Sequence, residues 1–174
     1  IRVAGGRRLG GVEHKLDGDY IEAGSWVVAV AVTGGELEVR GVGSAHLEPI
    51  TSVLARMRVQ CKVDNDQLHV SHSSLRGVGQ VTTAPWPGFP SDLTSIALVL
   101  ATQAQGTVLI HEKMFENRLF FVDRLISMGA RVILCDPHRA VVTGPSRLQG
   151  DRLTSPDIRA GMAVIAAALC AEGE

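Results

Sequence analysis

Aromatic side chains are scarce in this chain: two Trp, one Tyr and four Phe, or 4% of 174 residues. Stacking platforms for nucleobases are hard to build from so few rings. There is no excess of positive charge either, with 17 Lys and Arg against 18 Asp and Glu and a formal charge of −1. That balance excludes a nucleic-acid surface built on bulk charge and leaves only a local basic patch open. Cysteine is limited to Cys61, Cys135 and Cys170, with no C-x-x-C pair. Reduced thiols in a cytoplasmic protein are expected, and the apolar surroundings of all three predict buried small hydrophobes rather than nucleophiles. The most apolar run, Ala160 to Ala171, falls short of the roughly 20 residues a membrane helix needs. No Gly-rich phosphate loop of the GxGxxG or GxxxxGK type occurs. The six histidines show no metal spacing, and His69 and His72, three apart in a predicted strand, would face opposite sides. No metal or cofactor is called for. The first residues, Ile-Arg-Val, carry neither Met nor a signal pattern and read as a cut inside a longer protein.

What is present is enough apolar content, 45%, for one sizeable core, and an internal repeat, the feature to seek first. Ile21–Thr33 is apolar, follows Asp19 and stops at Gly34-Gly35, which are helix start and stop signals. Glu36–Arg40 alternates like a strand, Pro49–Arg58 reads as an amphipathic helix, and Val59–Val63 with Gln67–His72 reads as a hairpin. The order then returns. A helix is predicted over Asp92–Ala104, a strand over Thr107–His111, and a helix over Glu116–Met128. Strands follow at Arg131–Cys135 and Ala140–Thr143. A third apolar helix is predicted over Asp157–Ala171. Short strands before each first helix (Arg2–Ala4, Glu13–Leu16, Gln80–Thr83, Gln149–Leu153) complete a βαβαββ pattern. The units run roughly over 13–72, 80–143 and 149–174, the last short by roughly 40 residues on the repeat logic. The first helix of each unit is apolar all round, as a fully buried helix would be. The expected fold is α+β (mixed α/β): an inside-out barrel with helices within and sheets outside. Helix N-termini gathered at one end would favour anions.

Five strings then stand out: IEAG (Ile21–Gly24), APWPGFPSD (Ala84–Asp92), FENR (Phe115–Arg118), RLISMGA (Arg124–Ala130) and SPDIRAG (Ser155–Gly161). In this order over essentially the whole chain, they resemble the enolpyruvyl transferase family, and closest the branch acting on UDP-N-acetylglucosamine. The branch acting on shikimate 3-phosphate shares the implied fold without P-x-P-G-F-P-[ST]-D and F-E-N-R. The resemblance implies a two-domain enzyme, each domain of three βαβαββ units, with this chain as most of the second. It implies transfer of the enolpyruvyl group of phosphoenolpyruvate to the sugar nucleotide's 3-hydroxyl, with release of phosphate. The first domain would supply a loop acid and the Lys and Arg that grip phosphoenolpyruvate.

Each candidate residue has a plainer reading beside the implied one. Asp92 would fill an N-cap well; the family's Asp at this motif is the general base for the sugar hydroxyl. Glu116 at a helix start would complement the dipole and could pair with Arg118. By resemblance, Arg118 organises charge, Phe115 contacts the sugar nucleotide, and Glu116 and Asn117 hold the site's shape. Asp157 reads as a cap and Arg159 as a solvated cation. By resemblance, Asp157 lies beside the reacting groups and Arg159 binds phosphoenolpyruvate, its fork matching carboxylate or phosphate. Gly24 would let helices approach closely, and Trp86 stands where Tyr or His is common in the family. Two other readings stay open: transfer to another acceptor such as shikimate 3-phosphate, and a non-catalytic binding or regulatory paralogue. An RNA-binding module is disfavoured by charge and aromatic content.

Overall fold

A computed structural model describes residues 1–6 and 8–173; Arg7 and Glu174, the last residue of the third predicted unit, lie outside the described residues. The first helix, α1 (Tyr20–Thr33), begins on Asp19, whose carboxylate accepts from the Ile21 and Glu22 amides. It ends at Gly34, with φ 73° and its N–H donated to the Val30 carbonyl. A left-handed residue there is easiest for glycine. β1 (Leu37–Arg40) follows, then α2 (Ser44–Arg56) and the hairpin β2 (Gln60–Asp64) and β3 (Gln67–Ser71). After β4 (Gln80–Thr82) come a 3-10 turn at Ser91–Leu93, α3 (Thr94–Gln103) and β5 (Gly106–His111). The chain continues through α4 (Val122–Ser127), β6 (Arg131–Asp136), β7 (Arg139–Gly144) and α5 (Ile158–Leu169).

The strands form two separate sheets, β1-β3-β2 and β4-β5-β7-β6. All pairings are antiparallel except β4 with β5. The helices α1, α3 and α5 pack on one another, with α3 against β5 and β7 and α1 against β3. Leu68 and Val70 of β3, Val108 and Ile110 of β5, and Ala140 and Val142 of β7 all turn into one apolar cluster with these helices. Period-two alternation on a half-buried sheet places them there. The buried faces of α1, α3 and α5 thus share one core with the inner faces of both sheets in a mixed α/β arrangement. Among the described residues the two sheets do not close into a barrel.

The sequence-based expectations need correction at several places. Arg2–Ala4, Glu13–Leu16 and Gln149–Leu153 form no strand. A strand needs a neighbour for its ladder, and Gln149 makes only a single bridge, to Glu172. α2 starts at Ser44 rather than Pro49. Pro49 lies just past the first turn, whose N–H groups have no helical partner anyway, so its ring removes one bond only. Leu47, Ile50 and Leu54 then point one face into the core. Among the described residues only α3 is buried on all sides, with Ile96 to Ala101 each at most 2% exposed. α1 leaves Trp26 half-exposed, and α5 shows Ile158, Ile165 and Leu169 to solvent. Cys135 is exposed, because it sits on β6 at the edge of its sheet. Cys61 and Cys170 are half-buried. Burial pushes the Cys61 thiol up, and that of Cys170 to about 11, which suits small hydrophobes better than nucleophiles.

Candidate functional site

The starts of α1, α3 and α5 meet at one end of the molecule. Asp92 lies in the 3-10 turn leading into α3, and the N-cap position of α3 is Leu93, with no side-chain cap. The capping reading of Asp92 therefore fails. Its carboxylate takes one arginine on each oxygen. Arg118 Nη2 donates to Oδ1 at 2.7 Å, and Arg159 Nη2, from the second residue of α5, lies 2.9 Å from Oδ2. All three side chains keep about a third or less of their surface exposed, at 32%, 21% and 34% for Asp92, Arg118 and Arg159. Close range and partial burial make these pairs stronger than ordinary surface ones.

Asp157 is the N-cap of α5: its Oδ1 accepts from the Arg159 amide at 2.7 Å and the Ala160 amide at 2.9 Å. It is exposed, and its carboxylate bonds to its own helix start; through the cap it fixes the turn from which Arg159 reaches across. Phe115 is exposed, with the Arg118 guanidinium carbon 5.2 Å from its ring centroid. That is cation–π range. Buried Nε of Arg118 makes no hydrogen bond among the described residues.

Phe115–Arg118 does not open a helix, since α4 starts at Val122. Residues 116–121 form tight turns, with Phe120 N donating to the Asn117 carbonyl and Val122 N to that of Leu119. Three-residue closures hold the segment as a shelf rather than a helix. Glu116 is exposed and lies 3.9 Å from His138 rather than pairing with Arg118.

A cleft of about 280 Å³ runs beside these groups, lined among others by Tyr20, Trp86, Asp92, Met114, Phe115 and Arg118. Trp86 and Tyr20 meet edge to face at 6.1 Å, and His46 lies 6.1 Å from Trp86. Tyr20 and Trp86 make a rim for the cleft, with His46 packed behind them. Gly24 has the role foreseen for it: a Cβ there would stand 2.7 Å from Leu93 Cδ1. Its lack of a side chain lets α1 press against the turn that carries Asp92.

One residue escaped the sequence reading. Glu112 follows β5 and is fully buried. Its Oε1 accepts from Thr83 Oγ1 (3.1 Å), Met114 N (2.7 Å) and Phe115 N (3.2 Å), and its Oε2 from Ser91 Oγ (2.7 Å) and Thr94 Oγ1 (2.6 Å). Burial alone would push this carboxyl up, but the bonds from Thr94, Ser91, Met114 and Thr83 outweigh it and hold it below the usual carboxylate range. The signal in the sequence was indirect: hydroxyls at Ser91 and Thr94 around Asp92, and a lone acid at the end of an apolar strand.

Chemically, the arrangement offers a carboxylate fixed by two cations at the mouth of a partly apolar cleft. It can accept a proton from a hydroxyl and present guanidinium charge to an anion in the same place.

The chain is similar to proteins of known name and of known structure. UDP-N-acetylglucosamine 1-carboxyvinyltransferase of Treponema denticola is 47% identical over 182 residues, taking in 100% of this chain and 43% of the relative. The enzyme of the same name from Bradyrhizobium diazoefficiens is 48% identical over 179 residues, 98% of this chain and 42% of its own length. The chain thus spans less than half the length of these relatives. Among solved structures, the enolpyruvyl transferase NikO from Streptomyces tendae superposes with a TM-score of 0.80 at 28% identity, covering 90% of this chain and 37% of that one. The EPSP synthase from Acinetobacter baumannii superposes with a TM-score of 0.71 at 19% identity, over 97% of this chain and 42% of that one, and supports the fold alone. No helix among the described residues is long and apolar enough to cross a membrane. Residues 1–174 match one family from end to end, and the chain belongs to it: EPSP synthase (3-phosphoshikimate 1-carboxyvinyltransferase).

Proposed function

We propose that the full-length protein moves the enolpyruvyl group of phosphoenolpyruvate onto the 3-hydroxyl of UDP-N-acetylglucosamine. The reaction would be the first committed step of peptidoglycan precursor synthesis and would run in the cytoplasm. A second domain of the same protein would complete the site, with this chain as the half that binds and activates the acceptor. The names of the relatives support the acceptor, as do the two strings around Asp92 and Phe115–Arg118. The observation that carries the reading is the Asp92 carboxylate, released from capping and held between Arg118 and Arg159 beside the cleft.

In this reading Asp92 is the general base. It takes the proton of the sugar hydroxyl as that oxygen bonds to C2 of phosphoenolpyruvate. The loop acid of the other domain would give a proton to C3 in the same step, so that the C2=C3 double bond becomes single. C3 then returns a proton to it, the double bond re-forms, the C2–O bond to phosphate breaks, and phosphate leaves with the proton that Asp92 took. Arg118 and Arg159 face the anionic donor while keeping Asp92 in place. A guanidinium presents several donors in a plane and can serve a carboxylate and a phosphate oxygen together. Arg118 Nε, which makes no bond within the described chain, is one such donor. Phe115 and the Tyr20–Trp86 rim would pack against the sugar nucleotide. Asp157 acts by holding the first turn of α5, and so Arg159, in register.

The test is phosphate release from phosphoenolpyruvate by the full-length protein, with UDP-N-acetylglucosamine and shikimate 3-phosphate offered side by side. Release with the first acceptor only, lost in Asp92→Asn, is expected. Release with shikimate 3-phosphate only would move the reading to that acceptor. No release with either would leave a binding paralogue.

A further inference from the structure

The five donors on Glu112 come from three separate segments. Thr83 lies just past β4, Ser91 and Thr94 flank Asp92 on either side, and the Met114 and Phe115 amides begin the turn that ends in Arg118. The Glu112 backbone is itself clamped by the tip of the β6–β7 hairpin. Its N–H donates to the His138 carbonyl at 2.8 Å, and its carbonyl lies 2.8 Å from His138 Nδ1. Thr83 is held in turn, since its Oγ1 accepts from the Lys113 amide at 2.9 Å. A fully buried carboxylate without a cation beside it is costly unless its oxygens are saturated, and this one is saturated by groups belonging to the site.

We infer that Glu112 is a positioning residue for the transfer reaction: it ties the turn carrying Asp92 to the turn carrying Phe115 and Arg118 and so fixes the Asp92–Arg118 pair. The inference rests on the function proposed above and deepens it. Glu112 does not line the cleft, and Asp92 and Arg118 do. It acts only through them. The division of donors makes the idea sharp. Both backbone amides, which can only donate, bond Oε1, whereas Oε2 meets two hydroxyls, which can also accept. A glutamine with its oxygen in the Oε1 place and its NH₂ in the Oε2 place keeps every contact and removes only the charge. Alanine removes the tie altogether.

The experiment compares Glu112→Ala and Glu112→Gln in the full-length protein, following kcat, both KM values and amide hydrogen exchange over 113–118. In Glu112→Ala, kcat is expected to fall about 100-fold, the scale of an ångström-sized misplacement, while KM for UDP-N-acetylglucosamine changes far less. Exchange over 113–118 is expected to quicken while α3 stays protected. Glu112→Gln is expected to restore slow exchange and return kcat to within about tenfold of the native value. If Glu112→Ala does not fold, Ser91→Ala and Thr94→Val each remove one hydroxyl donor and are expected to lower kcat up to about tenfold. Native kcat in both, or in Glu112→Ala, would overturn the inference. So would a Glu112→Gln as impaired as alanine despite slow exchange, because charge rather than position would then be what matters. If the native protein transfers no enolpyruvyl group, the functional reading falls separately. The exchange comparison then still decides whether Glu112 ties the two turns: unchanged exchange over 113–118 in the variants would sink it.

Discussion

At the starts of α1 and α5, Asp19 and Asp157 turn their carboxylates back onto their own helices and accept the amides two and three residues on. At the start of α3 a 3-10 turn intervenes, and Asp92 turns away toward Arg118 and Arg159. The residue type and its place before an apolar helix are the same in all three, yet the duty differs. The difference lies in who anchors the turn. Around Asp92, the hydroxyls of Ser91 and Thr94 are tied to Glu112 instead, and Gly24 leaves room for Leu93 to seat against α1. A helix start held by neighbouring residues can release its carboxylate; one that must hold itself cannot.

Substitutions at the three aspartates test that contrast most strongly. Asp92→Asn in the full-length protein is expected to lower kcat about 10²- to 10⁴-fold, the usual worth of a general base. Asp19→Asn should leave turnover near native, because asparagine caps as well as aspartate. Equal losses in both, measured by phosphate release, would break the comparison. A smaller effect is expected from Arg118→Lys, since an ammonium cannot reproduce the planar fork. KM for phosphoenolpyruvate should rise about tenfold, the scale of one charge-assisted hydrogen bond. Smaller again are the caps as caps. Asp19→Ala and Asp157→Ala should each cost about 1 kcal/mol in denaturant unfolding, with turnover affected only in Asp157→Ala, through Arg159.

Much of this was legible from residues alone. The caps at Asp19 and Asp157, the stop at Gly34, both hairpins and the burial of α3 followed from capping chemistry and periodicity. Asp92, Phe115, Arg118, Asp157 and Arg159 do lie about one end of the molecule, as their placement at helix starts and in quoted strings suggested. What escaped was set by partners distant in sequence. Strands at Glu13–Leu16 and Gln149–Leu153 needed neighbours that local patterns cannot supply. The helix expected from Glu116 yields to tight turns until Val122. Glu112 showed only as a lone acid after an apolar strand, because what makes it matter is three segments arriving from elsewhere. Cys135 was misplaced because apolar neighbours in sequence do not reveal an edge strand.

Glu112 and Asp92 also differ in how they are satisfied, and pH separates the two modes. Hydrogen bonds hold the folded Glu112 carboxyl below its ordinary value of 4.5, against the opposing effect of burial. A group whose folded pKa is depressed adds stability that is fully present above the unfolded pKa and fades as pH falls through the folded one. In Glu112→Gln no proton is taken up at this position, so that part of the acid limb disappears. The stability difference between native protein and variant should therefore be constant near neutrality and shrink as the pH drops below about 4.5. Asp136 and Glu172, whose carboxyls are also lowered, by the hydrogen bonds from Arg139 and Arg147 respectively, contribute equally to both proteins and cancel. Denaturant midpoints taken across that range check it. A difference that stays flat into acid would mean Glu112 binds its proton as readily folded as unfolded, and the five donors around it would then favour the acid as much as the anion.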